Sequence, residues 1–263
     1  MLFDYHLHTP LCHHATGEPR DYVLQAQAKG LSEIGFSDHN PMPTQFDEWR
    51  MGPDELPTYL AMIEKVRREF PDYSIQLGLE CDFIPGFEDH IRHQSRQAEW
   101  DYLIGSVHYI APGWDVDNPI HMGKWSEHPV EEVWKLYFKA YTQMVTSGLF
   151  DFLAHVDLVK KFGHRPSGDL APYYTETIQA LADLKIPIEV STAGLRKEVR
   201  EIYPSKQFLD LAFKNGIPVL INSDSHKPEE VGFAFGQALA LVKEVGYTTL
   251  TRFHRRKAIQ VPI

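Results

Sequence analysis

The sequence predicts an α/β fold, a single-domain barrel of seven β/α units spanning residues 1–263, and three observations carry that reading. Short apolar or β-branched runs alternate with helical patterns along the whole chain. Most of those runs end on a side chain able to bind a metal, and such residues converge only if the strands are parallel and their C-terminal ends share one face. The length of 263 residues, with 43% hydrophobic content, suits a barrel domain of roughly 250 residues.

In chain order, Leu2-Phe3 leads into His6 and His8, and a helix is predicted from Arg20 to Lys29 before Gly30. Ile34-Gly35-Phe36 runs into Asp38-His39, and Leu56, Tyr59, Ile63, Val66 and Phe70 then recur at helical spacing. Ile75 to Leu79 ends on Glu80, and Tyr102-Leu103-Ile104 precedes His108. The irregular stretch Tyr109 to His128 is long enough to read as a functional loop over the barrel mouth. Val130 to Val145 is helical in spacing before Gly148, with Trp134, Tyr137 and Tyr141 as a packing stripe. Phe152-Leu153-Ala154 ends on His155, a helix follows at Tyr173 to Leu184, and Ile186 to Val190 ends on Ser191-Thr192. Further helices are predicted at Ser205 to Lys214 and Pro228 to Val245, flanking Val219 to Asn222, which runs into Asp224 and His226. Thr248 to Ile263 offers one more strand without a ligand pattern.

Composition excludes several classes. A formal net charge of -10, with 26 scattered basic residues, disfavours nucleic-acid and anionic-membrane partners, which reward clustered Lys and Arg. Cys12 and Cys81 lie in different segments and imply neither a disulfide framework nor a thiolate zinc site. The start lacks a basic and apolar leader, and no apolar run approaches roughly 18 residues, so a cytoplasmic protein is expected. No signature of oligomeric state is present.

Nine side chains are candidate metal ligands: His6, His8, His14, His39, Glu80, His108, His155, Asp224 and His226. His6 and His8 share a strand face because they lie two residues apart, and Asp224 and His226 repeat the spacing. Nine ligands exceed the need of one four-coordinate ion, so two or three ions are expected, with Glu80 suited to bridge a pair. Imidazole and carboxylate without thiolate suit Zn, Fe or Mn. Three divalent ions facing two carboxylates leave a charge of roughly +4, which favours a phosphoryl ligand. His90, His93, His121, His128, His164 and His254 read as structural or solvent-exposed, and Cys81 as core.

The motifs His6-Leu-His8-Thr9, Ser37-Asp38-His39, Gly78-Leu79-Glu80, Gly105-Ser106-Val107-His108, Ala154-His155-Val156-Asp157 and Asn222-Ser223-Asp224-Ser225-His226 resemble the polymerase-and-histidinol-phosphatase (PHP) superfamily. Within it, Asn40-Pro41-Met42-Pro43, Lys160 to Arg165, Thr192 to Arg196 and Pro228 to Gly232 look like the histidinol-phosphate phosphatases. The resemblance implies a distorted seven-stranded barrel with three metal ions at the C-terminal strand ends. One ion would take His6, His8, Glu80 and Asp224; a second Glu80, His108 and His155; the third His14, His39 and His226. His13 adjoins His14, and motif register favours His14.

The implied reaction is hydrolysis of L-histidinol phosphate, a small-molecule phosphomonoester, by a hydroxide bridging the first two metals. Arg196 would clamp a phosphate oxygen, Lys160, Lys161 and Arg165 would add positive charge, and Asp224 or His226 would assist the leaving group. The Trp114 to Trp125 loop would read the imidazole and ammonium of the substrate. Rival readings are a phosphodiesterase or nuclease of the same superfamily, a phosphatase of another small monoester, an amidohydrolase, and a non-catalytic module. A nuclease wants a basic groove, an amidohydrolase leaves the phosphate-binding arginine unexplained, and a non-catalytic module wants lost ligands.

Overall fold

The structure, a computed structural model, describes residues 2–263. The elements run β1 (Phe3–Leu7), α1 (Pro19–Ala28), β2 (Glu33–Phe36), α2 (Leu56–Glu69), β3 (Ser74–Asp82), α3 (Glu88–Gln94), β4 (Tyr102–Ser106), β5 (Tyr109–Ala111), β6 (Trp114–Asp115), α4 (Met122–Trp125) and α5 (Val130–Ser147). They continue β7 (Phe152–Leu153), α6 (Ala171–Leu184), β8 (Ile188–Ser191), α7 (Lys206–Lys214), β9 (Val219–Asn222), α8 (Phe235–Val245), β10 (Thr249–His254) and β11 (Lys257–Pro262).

Seven parallel strands form one sheet in the order β1-β2-β3-β4-β7-β8-β9. The sheet curls until its first and last strands nearly meet. His8 N donates to Ser225 O at 2.9 Å, Ser225 N donates to His6 O at 2.9 Å, and Tyr5 N donates to the Asn222 side-chain oxygen at 2.8 Å. All seven C-terminal ends therefore open on one rim, which confirms the expected seven-stranded barrel. Every residue of β1, β2, β4, β8 and β9 is buried, as expected for strands covered on both faces.

Tyr102 fills the barrel interior and donates to Tyr5 O at 2.7 Å. It fits because β2 and β3 place Gly35 and Gly78 beneath it: a Cβ at either position would lie 2.1 Å from the Tyr102 ring or hydroxyl. The far end of the barrel is sealed by β10 and β11, an antiparallel hairpin rather than an eighth barrel strand. From it Phe253 packs 5.3 Å from Phe152, and Arg252 pairs with buried Glu33 at 2.6 Å. With that end plugged, the site can open only at the other.

The helices follow their apolar stripes. In α5, Val133, Trp134, Tyr137, Tyr141, Met144 and Val145 are buried, and Gly148 ends the helix at φ 66°. Ser205 caps α7 by accepting from Phe208 N. The helix expected from Pro228 starts only at Phe235, after a 3-10 turn at Pro228–Glu230. Gly232 and Ala234 take φ of 61° and 52°, which a right-handed helix cannot propagate through. No helix among the described residues is long and apolar enough to cross a membrane.

Candidate metal centre

All the candidates but His14 stand within four residues of a strand end on the open rim, and His14 follows the 3-10 turn Pro10–Cys12 after β1. His6 projects from β1 and His8 from the residue just past it, and both are buried. Glu80 on β3 continues the ladder past β2: Glu80 N donates to Asp38 O at 3.0 Å and Asn40 N to Glu80 O at 2.8 Å, which seats His39 beside it. His108 and His155 each follow their strand by two residues. His155 and Asp224 adopt left-handed φ of 21° and 51°, conformations that cost of order 1–3 kcal/mol and cluster at functional sites.

Glu80 lies at the centre. Its Oε2 is 3.2 Å from His6 Nε2, 3.5 Å from His8 Nε2 and 3.0 Å from His39 Nδ1, while its Oε1 is 3.1 Å from His155 Nε2 and 3.9 Å from His108 Nε2. Asp224 Oδ1 is 3.3 Å from His8 Nε2 and 3.7 Å from His6 Nε2. The His226 ring lies 4.0 Å from that of His8 and 4.5 Å from that of His14. His13 takes φ 64° and turns outward to Glu48 O, so His14 is the histidine delivered to the cluster. All nine candidates converge, and the structure orders the neighbouring pair as the motif register does.

The residues fit metal ions. His6 Nε2, His8 Nε2, His39 Nδ1, His226 Nε2 and Glu80 Oε2 are buried facing one another with no contact in hydrogen-bonding geometry, although native proteins pair nearly all such atoms. The opposite ring nitrogens of several ligands are held by groups that fix a tautomer. His6 Nδ1 is 2.8 Å from Glu189 Oε1, His108 Nδ1 is 2.6 Å from Asp82 Oδ1, and His14 Nδ1 is 2.7 Å from Cys12 O. Asp38, 3.4 Å from His8 Nδ1, plays the same part and also accepts from Thr9. Cys12 is buried with its thiol near His14 and His226, and Cys81 is core.

Charge is strongly coupled here. Burial raises the Glu80 carboxyl, but the imidazoles of His6 and His39 outweigh it and hold it well below the carboxylate range. Asp224 is depressed likewise, chiefly by His6 and His8 against its own burial. Burial and the neighbouring His39 and His8 lower His14 to about 4, and burial with His8 lowers His226. His108 goes the other way, to about 10, because Asp82 overrides its burial.

The rim encloses a cavity of about 510 Å³ lined by ligand candidates on one side and by Trp49, Asp115, Asp117, Lys161, Lys197 and Tyr203 on the other. Several expectations for the substrate side need correction. Lys160 is buried beneath the wall, paired with Asp157 at 2.9 Å and donating to Ile202 O. Arg165 pairs with Glu201 at 2.6 Å outside the cavity. Arg196 is not among the residues lining the cavity: its Nη2 donates to Ser223 O and Asp224 O at 2.9 and 2.8 Å, which braces the turn carrying Asp224 and His226, its Nε lies 3.4 Å from Glu230, and its Nη1 is buried without a partner. Of the expected cations only Lys161 reaches the cavity, where it meets Asp117 at 3.0 Å. From the mouth loop Asp115, Asp117 and Asn118 reach the cavity, whereas Trp114 and Trp125 are buried and pack with His128 and His164.

Lys197, Trp49, Asp82 and Glu189 were not legible as site residues. Lys197 follows an arginine in a charged run, and Trp49 sits in a segment without periodicity. Glu189 and Asp82 lie on strands whose pattern marks only burial; a carboxylate inside an otherwise apolar strand was the available signal.

With this geometry in place, comparison with known proteins decides the family. The PHP domain model matches residues 4–193. The chain belongs to the PHP family. A Deinococcus radiodurans relative named "Probable histidinol-phosphatase" is 42% identical over 258 residues, covering 97% of this chain and 98% of its own. A Bacillus subtilis protein named "Histidinol-phosphatase" is 27% identical, covering 88% of this chain and 96% of its own. A crystal structure of histidinol phosphate phosphatase from Lactococcus lactis, complexed with zinc, L-histidinol and phosphate, shares the fold with TM-score 0.81 at 24% identity over 98% of both chains. This PHP chain is thus similar along nearly its whole length to proteins named as phosphatases, and its donor set is that of a metal-dependent enzyme.

Proposed function

We propose that this chain is a metal-dependent phosphomonoesterase that hydrolyses L-histidinol phosphate to L-histidinol and phosphate, as one domain over residues 1–263. The observation that supports this most is the convergence of eight candidate ligands on the ninth, Glu80, with five cluster-facing atoms buried and unpartnered. The near-full-length likeness to a relative named for this activity supports the substrate.

Three ions, drawn from Zn, Fe or Mn, would suit the donor set: His6, His8, Glu80 and Asp224 would hold one, Glu80, His108 and His155 a second, and His14, His39 and His226 a third. Bound ions supply Lewis acidity and lower the pKa of a water to about 7, which provides a nucleophile at neutral pH. The protein supplies orientation and charge. Glu189, Asp82 and Asp38 hold the imidazoles in the tautomers that leave a lone pair free for a metal. Lys161 and Lys197 line the cavity and bind phosphoryl oxygens. Burial and the neighbouring Lys161 lower the Lys197 pKa, so an anionic ligand relieves a charge repulsion already present. Asp224 and His226 line the same cavity on the leaving-group side, and Asp115 and Asp117 present carboxylates to the imidazole and ammonium of histidinol.

The test is phosphate release from histidinol phosphate by the purified protein before and after chelation. Activity that disappears on chelation and returns with Zn, Mn or Fe supports the reading; turnover unaffected by complete metal removal overturns it.

A further inference from the structure

Arg50 is among the largest fully buried side chains, 1% exposed, and lies in the irregular segment between β2 and α2. A buried guanidinium is retained only where its donors are matched, and here they reach three parts of the ligand cluster. Its Nη2 is 2.8 Å from Asp82 Oδ2, and the other oxygen of the same carboxylate is 2.6 Å from His108 Nδ1. Its Nη1 donates to Asn40 O at 3.2 Å, next to His39; the Asn40 side-chain oxygen in turn accepts from Asp82 N at 3.1 Å. Its guanidinium carbon lies 4.4 Å over the Trp49 ring, which stacks on Tyr109 at 6.0 Å and meets His39 and His108 edge-on at 4.8 and 5.2 Å. Asp47, at 2.6 Å, pairs with the same guanidinium nitrogen.

We infer that Arg50 is a positioning residue for the metal centre, which acts through Asp82 and Trp49 to fix the rings of His108 and His39. The inference rests on the reading of these histidines as metal ligands. The chemistry requires an arginine. One flat guanidinium donates in its plane to Asp82, Asp47 and Asn40 while stacking its face on Trp49, whereas a lysine ammonium offers the charge without the fork or the plane. Asp82, locked by Arg50, accepts the Nδ1 proton of His108 and leaves Nε2 directed at Glu80, as the atom that would hold a metal.

The test measures zinc affinity of the full-length protein by competition with a chromophoric chelator, alongside the ring-nitrogen NMR shifts of His108 in the zinc-loaded protein. Wild-type protein is measured first: if it binds no zinc, the metal-centre reading itself fails, independently of Arg50. In Arg50→Met, zinc held through His108 should bind ten- to a hundredfold more weakly, and His108 should lose its single Nδ1–H tautomer. Arg50→Lys keeps the charge and protects folding, and should fall between the two, at least threefold weaker than wild type. Where Arg50→Met does not fold, Arg50→Lys decides. Wild-type zinc affinity and an unchanged His108 tautomer in a folded variant overturn the inference.

Discussion

Glu189 Oε1 lies 2.8 Å from His6 Nδ1, while Glu189 Oε2 accepts the backbone N–H of His155 at 3.0 Å. One carboxylate on β8 thus sets two ligand-bearing segments on either side of it, and Asn222 Nδ2 donates to the same Oε1 at 2.9 Å. It touches the metal centre only through these groups. Glu189→Gln keeps the size but replaces one acceptor oxygen with a donor that faces either His6 Nδ1 or His155 N. Zinc affinity should fall ten- to a hundredfold, with secondary structure by circular dichroism unchanged. Undiminished affinity would remove Glu189 from the supporting shell.

The adjacent histidines offer an internal control. His14 turns its ring toward His39 and His226, whereas His13 contacts Glu48 O and faces Glu55 at 3.9 Å. His14→Ala should lower kcat by orders of magnitude and reduce bound metal; His13→Ala should leave both within about twofold. The reverse ranking in kinetics and metal analysis would mean that the other ring is the ligand.

The cations near the site separate into two groups by their partners. Lys161 and Lys197 line the cavity, so Lys161→Met or Lys197→Met should cost about 1.5–3 kcal/mol of transition-state binding, roughly ten- to a hundredfold in kcat/KM. Lys160 is buried against Asp157, so Lys160→Met should instead destabilise the fold by about 3–5 kcal/mol, because an uncompensated carboxylate remains. Steady-state kinetics and denaturant melts distinguish the groups, and a kinetic defect in a stable Lys160 variant would contradict the assignment.

Metal removal should change the pH dependence of stability. In the metal-free protein His108 is raised to about 10 because Asp82 outweighs burial, and His6 and His8 are also raised against their burial, His6 by Glu189 and Glu80, His8 by Asp224 and Asp38. A group raised above its unfolded value of about 6.5 contributes stability that is fully present below that pH and is lost as pH rises through the folded value. The lowered histidines His14, His39 and His226 are neutral in both states above about pH 7 and add nothing in this window. The Tm of chelated protein should therefore fall between about pH 7 and 10 more steeply than that of zinc-loaded protein, whose ligand histidines are already neutral. Parallel Tm curves for the two forms would contradict this coupling.

The barrel and the convergence of the nine candidates were legible in the sequence because both rest largely on local pattern: period-two alternation places His6 with His8, and most candidates follow a short apolar run, while His14 was marked by motif register alone. The supporting side chains were not, because their roles depend on which strands become neighbours. Glu189 matters only because β8 lies between β7 and β9, and Asp82 only because β4 carries His108 past its end. The basic residues after His155 illustrate the same limit. Lys160 and Lys161 are adjacent in sequence, yet the 3-10 turn at Leu158–Lys160 sends one inward to Asp157 and the other to the cavity. The C-terminal hairpin read as a spare strand because its partner is Glu33 at the opposite end of the chain.

The substrate assignment is tested most directly by comparing kcat/KM of the zinc-loaded protein for L-histidinol phosphate, for other small phosphomonoesters and for a nitrophenyl phosphodiester. The expected result is a preference for histidinol phosphate of at least a hundredfold over the other monoesters, with the diester slower still. Equal turnover across the monoesters, or a preference for the diester, would contradict it.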